Sequence, residues 1–290
     1  MKQLMVLYYD STKNNYNTNP FATFNSVDNY NPERTIIKSV DIKNPRDFVL
    51  WKVNDKKQIV FGNVLKKGCI GWNSECVCLS RKILGKVHIC MGGQDLKNTH
   101  HYSSIAQAES LDPTQTYGDY WIHFSFLNFS GDKMSKSLGN IKKLEDIKIN
   151  TKLLRMYLFT KSYKNDFDFI ESEINIYQKD FVNYHLLFNK LKLQTYKTNL
   201  NTSKNYSGDI KIYDKILHKI ADNFDTPKAI ELLIKYINIL MKVYLDKKTA
   251  DIIYNELKCV NQLFNIIDDS LLEISDSILE FIKLREKLRM

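Results

Sequence analysis

The feature that most constrains this chain is a change of hydrophobic period near Asn140. Before it, apolar residues come in short runs broken by glycine, asparagine and charge: DFVLWK at 47–52, KVHICMGGQD at 86–95 and YWIHFSFLNFS at 120–130. After it, they recur at helical spacing, as in Leu153, Leu154, Tyr157 and Leu158, then Phe181, Tyr184, Leu187, Phe188 and Leu191. Alternation or a short apolar run suits a strand, whereas a spacing of three and four residues puts the apolar groups on one helix face. The pattern therefore predicts an α/β front followed by an all-α back.

Within the front, the opening MKQLMVLYYD reads as a strand and the asparagine-rich residues 11–32 as an exposed loop. Cys76 to Ile83 has helical spacing, and KVHICMGGQD reads as a buried strand carrying Val87 and Ile89, broken by Gly92 and Gly93. THHYSSIAQAES reads as a helix, and YWIHFSFLNFS as one strand that runs into the loop SGDKMSKSLGN. In the back, helical spacing covers 142–162 and 174–197, and a polar linker occupies 198–209. In DNFDTPKAIELL, Thr226 is expected to cap a helix whose first position Pro227 takes, where a missing N–H costs nothing.

Composition excludes some classes of function. No apolar run approaches the ~18 residues of a membrane span. The opening segment is short for a signal peptide and poor in arginine for a transit peptide. Five cysteines, an odd count, argue for a reducing compartment, and a cytoplasmic location is expected. The net charge is +9, and residues 51–100 hold nine Lys/Arg against Asp55, Glu75 and Asp95. That excess fits a polyanionic ligand or a solvated lysine-rich surface.

Two segments carry chemistry. A glycine pair after a strand lets backbone N–H groups approach a phosphate or ribose, but GGQD alone is a weak signal. In KMSKS, Lys133 and Lys136 offset pyrophosphate charge as it develops, while Ser135 and Ser137 donate hydrogen bonds.

Taken in order, NPRDFVLWK (44–52), IGWNSEC (70–76), GGQDLKNTHHYSSIAQ (92–107), YWIHFSFLNFSGDKMSKSLGN (120–140) and DNFDTPKAIELL (222–233) resemble the cysteinyl-tRNA synthetases. The resemblance runs from Asn44 nearly to the C-terminus. It implies a class I aminoacyl-tRNA synthetase, a ligase of protein biosynthesis that makes cysteinyl-adenylate from cysteine and ATP with Mg2+ and passes cysteine to tRNA(Cys). It also implies the second half of a class I Rossmann fold with its KMSKS loop, followed by a helical bundle lying along the tRNA. By that resemblance Gly92, Gly93 and Asp95 face the ATP ribose. Lys133 and Lys136 are the catalytic lysines, Ser135, Lys136 and Ser137 hold the phosphates, and Trp72 lies near the amino-acid pocket. The implied domains are 1–43, a remnant of the family's insertion region; 44–140, the second Rossmann half; 141–197, a helical connection; and 198–290, the bundle.

The sequence also departs from the family. No His-x-Gly-His is present, and the first histidine is His88. The family reads its substrate thiolate with a zinc ion, because a soft thiolate favours that metal. Of four expected ligands, Cys76 and His100 match, Ser104 stands where a glutamate is expected, and the N-terminal cysteine has no counterpart. Two ligands do not make a zinc site. Cys78, His88, Cys90 and His101 are nearby in sequence, but alternate strand residues face opposite sides. His123 and His185 lie in aromatic settings and read as structural.

Two functional expectations follow. One is a cysteine–tRNA ligase family protein, truncated and dependent on a second polypeptide carrying the His-x-Gly-His half. The other is a non-catalytic relative that binds tRNA or a protein. An adenylating ligase acting on something other than tRNA ranks behind both. Without the first half of the sheet, the strands at 87–91 and 120–129 are expected to keep an unpaired edge and an apolar face.

Overall fold

The computed structural model describes residues 6–9, 47–53, 67–129, 132–133, 143–195 and 211–268. The expected asparagine-rich loop, the 198–209 linker, residues 269–290 of the expected bundle and most of the 1–43 segment lie outside the described residues. The chain divides into two compact units, 1–126 and 127–290.

The first unit opens with an antiparallel sheet of β1 (Val6–Tyr9), β2 (Phe48–Val53) and β3 (Gly68–Ile70). α1 (Trp72–Ile83) leads from β3 into β4 (Val87–Gly93), and α2 (Tyr102–Leu111) leads into β5 (Gly118–Phe124). β4 and β5 pair in parallel, so β4, α2 and β5 form a βαβ unit whose crossover is helical, as a parallel pair requires. The two helices are tied together by hydrogen bonds. Arg81 donates to the Ala108 carbonyl at 2.6 Å, and the Ser74 hydroxyl donates to Gln107 Oε1 at 2.6 Å. Ile105, Ala106 and Ala108 of α2 and Val77 of α1 are fully buried, because small and branched apolar groups let helix and sheet approach closely.

Two expectations for these strands need correction. Ile89 is not buried: it is 56% exposed, and Met91 on the same face is 57% exposed. Among the described residues β4 pairs only with β5, and Ile89, Met91, Tyr120 and Phe124 share the sheet face turned away from His101. YWIHFSFLNFS is also not one strand. It breaks at Ser125–Phe126, and its second part, β6 (Leu127–Phe129), belongs to the other unit.

In the second unit β6 pairs antiparallel with β7 (Asp132–Lys133) and parallel with β8 (Phe167–Asp168). The helices are α3 (Thr151–Phe159), the short α4 (Glu171–Ile174), α5 (Gln178–Thr195), α6 (Ile212–Ala221), α7 (Thr226–Leu240) and α8 (Lys247–Phe264). They share one core, with Tyr157, Tyr184, Leu187, Phe188, Leu233 and Leu257 all fully buried. α3 starts only at Thr151, after a short 3₁₀ turn (Leu144–Asp146), because Asn150 accepts hydrogen bonds from the N–H groups of Lys152 and Leu153. The cap of α7 is Asp225 rather than Thr226. Its carboxylate accepts from the Lys228 N–H, and Thr226 becomes the first helical residue. Asp is the stronger cap here because an acceptor with full charge meets the positive end of the helix dipole.

Candidate functional site

Of the residues singled out from the sequence, Gly92, Gly93, Asp95, His100 and Trp72 gather at the C-terminal end of β4. After Gly93 the chain makes a 3₁₀ turn (Gln94–Leu96) and one π-turn (Lys97–His101) before α2 begins. A π-turn is wider than an α-turn. Here it lets consecutive histidines be buried while facing different elements. His100 faces α1: its ring stacks on Trp72 with centroids 4.4 Å apart, and its Nδ1–H donates to Asn73 Oδ1 at 2.6 Å. His101 faces the sheet: its Nδ1 shares a proton with His123 Nε2 at 2.8 Å, and its ring tilts against Trp121. His123 stacks in turn on Trp121 and is the cross-strand neighbour of Gly92.

These imidazoles are held neutral. Burial lowers the pKa of His100 and of His101; His101 falls to about 4, with His123 and His100 adding to the effect of burial. Burial followed by the charge of Lys97 lowers His123, and burial lowers Lys97 itself. With His100 Nδ1 donating to Asn73, the lone pair of its neutral ring sits on Nε2. Trp72 keeps 62% of its surface exposed over that ring. The result is an aromatic-walled corner that offers imidazole lone pairs and a stacking surface to a small polar molecule.

Both glycines of GGQD are in close contact with their own chain. A Cβ on Gly92 would stand 2.6 Å from His101 Cε1, and one on Gly93 would stand within 2.4 Å of Asp95 Oδ1. The Asp95 carboxylate therefore folds back over Gly93, and the Thr99 hydroxyl holds the Asp95 carbonyl at 3.0 Å. Lys133 lies in β7, its backbone paired with Asn128. Ser135, Lys136 and Ser137 lie outside the described residues.

The family's zinc was tested against the residues present. Ser104 is buried, and its hydroxyl donates to the His100 carbonyl at 2.8 Å, so it turns back into the helix instead of offering a ligand. Burial and then Glu75 raise the Cys76 pKa, which opposes the thiolate that a metal requires. Among the described residues no group of three or more His, Cys, Asp or Glu side chains is placed to hold a metal ion. The residues present do not fit a zinc site. Nor do the alternatives gather: Cys78 is exposed on α1, and His88 is held by Asp119 at 2.8 Å.

Asn73 carries no signal in the sequence, and His101 figures there only among possible replacement metal ligands. The His-His pair was visible, but nothing in its spacing reveals a π-turn, which needs backbone geometry to detect.

Comparison with known proteins shows the family. A family profile described as the catalytic domain of class I (C) tRNA synthetases matches residues 5–179. The chain belongs to this family. Class I (C) relatives include proteins named Cysteine--tRNA ligase from Rickettsia prowazekii (strain Madrid E), 31% identical over 229 residues, and Geobacillus sp. (strain WCH70), 29% identical over 243 residues. The first alignment covers 76% of this chain and 46% of the relative, the second 80% and 51%. The chain thus spans about half the length of the curated relatives it matches. Among solved structures, the ternary complex of Agrobacterium radiobacter K84 agnB2 LeuRS with tRNA and LeuAMS matches with a TM-score of 0.50 at 15% identity, over 62% of this chain and 26% of that one. At that identity the likeness concerns the synthetase fold alone. No helix among the described residues is long and apolar enough to cross a membrane.

Proposed function

We propose that this chain takes part in ATP-dependent activation of cysteine and its transfer to tRNA(Cys). The observation that carries the reading is its similarity, over about three-quarters of its length, to proteins named for that reaction. In this reading Trp72 on His100 forms a wall of the amino-acid pocket, and Asp95 at the end of β4 meets the ATP ribose. Lys133 and Lys136 offset charge on the departing pyrophosphate with Mg2+, aided by the hydroxyls of Ser135 and Ser137. The helical back lies along the tRNA. Preorganised cations of this kind are each worth on the order of 10²–10³ in rate.

The test is cysteine-dependent ATP–pyrophosphate exchange on the 290-residue chain, with and without zinc, and with and without a polypeptide carrying His-x-Gly-His. Exchange in any of these mixtures that disappears in the Lys133→Ala/Lys136→Ala variant supports the reading. Exchange in none of them, together with no ATP binding, overturns it.

A second reading, a non-catalytic relative that binds tRNA, is favoured by one observation: Ser104 in the glutamate position is sealed by its hydrogen bond to the His100 carbonyl. It predicts salt-dependent tRNA binding without exchange.

A further inference from the structure

We infer that His101 is a positioning residue that clamps the Gly-Gly-Gln-Asp corner to β5, and that position 92 is glycine to make room for it. The clamp has two parts. The His101 ring occupies the space that a side chain on Gly92 would take, with Cε1 at 2.6 Å and Nε2 at 3.0 Å from the would-be Cβ. Its Nδ1 is hydrogen-bonded to His123 Nε2 at 2.8 Å, and His123 is the register partner of Gly92 on the neighbouring strand. One buried ring thus joins the last turn before α2, the end of β4 and the end of β5. The Gly92 backbone is not in the left-handed region; Gly85 is the glycine with positive φ among the described residues. The demand for glycine at 92 is therefore steric.

The consequence lies at Asp95. It sits three residues beyond Gly92, on the 3₁₀ turn between the strand and the π-turn that carries His101. That turn is short and has no side-chain cap. Gln94 of the turn accepts a hydrogen bond from the Ser125 hydroxyl at 3.0 Å, and His101 ties both ends of the turn to the same point on β5. His101 touches no substrate in this arrangement; it acts through the turn. The functional part of the inference rests on the reading that Asp95 meets the ATP ribose, whereas the clamp itself does not.

The experiment compares the full chain with His101→Ala and His101→Asn. An asparagine places an amide atom where Nδ1 stood and can remake the bond to His123. Two quantities are read: amide hydrogen exchange of peptides spanning 90–96 and 120–124, and equilibrium ATP affinity. His101→Ala should speed exchange in both peptides roughly tenfold, the ratio that one buried hydrogen bond sustains, and weaken ATP binding by a similar factor. His101→Asn should recover most of both effects. Lys133→Ala/Lys136→Ala should lose ATP while leaving exchange at 90–96 as in the native chain. Unchanged exchange in His101→Ala overturns the clamp, as does a loss of ATP affinity without faster exchange, which would make His101 a direct ligand contact. If the native chain binds no ATP, the exchange data alone still decide the clamp.

Discussion

Replacing Gly92 by alanine tests the steric argument in isolation. The new Cβ would lie 2.6 Å from His101 Cε1 and 3.3 Å from Leu96 Cδ1. To reach ordinary van der Waals separation, the ring must retreat by roughly 0.8 Å. It is buried and bonded to His123 at 2.8 Å, so a retreat of that size stretches the bond past useful length. Overpacking of this kind costs about 1–3 kcal/mol, and orphaning a buried ring nitrogen costs a similar amount. The opposing term is the smaller unfolded-state entropy of alanine, roughly 0.4–1 kcal/mol. A net loss of about 1–5 kcal/mol is expected. In a His101→Ala background the obstacle is gone, and the same substitution should be neutral or slightly stabilising. The coupling energy of the cycle should therefore exceed ~1 kcal/mol, well above the ~0.5 kcal/mol by which independent sites depart from additivity. Urea unfolding followed by tryptophan fluorescence is the assay, because Trp51, Trp72 and Trp121 all lie in the first unit. A coupling below ~0.5 kcal/mol would refute the reasoning.

Other outcomes follow from the same structure. Asp225→Ala removes the cap of α7 and should cost about 1 kcal/mol in thermal unfolding followed by circular dichroism, with Asp225→Asn recovering most of it. Leu257→Ala, in the fully buried core of the second unit, should cost about 2–5 kcal/mol in the same assay. Met91→Lys, on the open sheet face, should shift stability by no more than about 0.5 kcal/mol; a larger loss would show that the face is covered in solution. His101 is held at about 4 against an unfolded value near 6.5. Its contribution is therefore complete above pH 6.5 and lost as pH falls toward 4. With chelator present, the native chain should lose roughly 2 kcal/mol more than His101→Gln between pH 7 and pH 5 by tryptophan-monitored urea unfolding; equal losses would contradict this.

Local signals in the sequence read well where they depend on the segment alone. The apolar spacing of Phe181, Tyr184, Leu187, Phe188 and Leu191 marks one face of α5, and all five are buried in the core. The strand at 48–53 and the helix over the YSSIAQAES part of THHYSSIAQAES are likewise set by their own residues. Burial is different, because it depends on partners. Val87 and Ile89 have the composition of a buried parallel strand, yet Ile89 shares with Met91 and Tyr120 an exposed face of the β4–β5 pair. The break at Ser125–Phe126 was hidden for a related reason. Alternation continues across it, and only the pairing of Leu127 with Phe167 shows that the chain has moved to a second sheet.

The candidate site shows the same division between local and non-local information. In the sequence the pair Gly92–Gly93 reads as room for a phosphate or ribose to approach the backbone. Glycine does not say what comes close. A ligand phosphate, a ribose and a side chain nine residues later in the same chain all require the same missing Cβ. The structure puts the buried, hydrogen-bonded His101 ring against Gly92, so that glycine is already required by the folded chain, whereas Gly93 faces only the end of the Asp95 side chain. That moves the weight of any nucleotide reading from the glycines to Asp95 and to the lysines of KMSKS. It also makes His101, which carried no role in the sequence motifs, the residue on which the geometry of that corner depends.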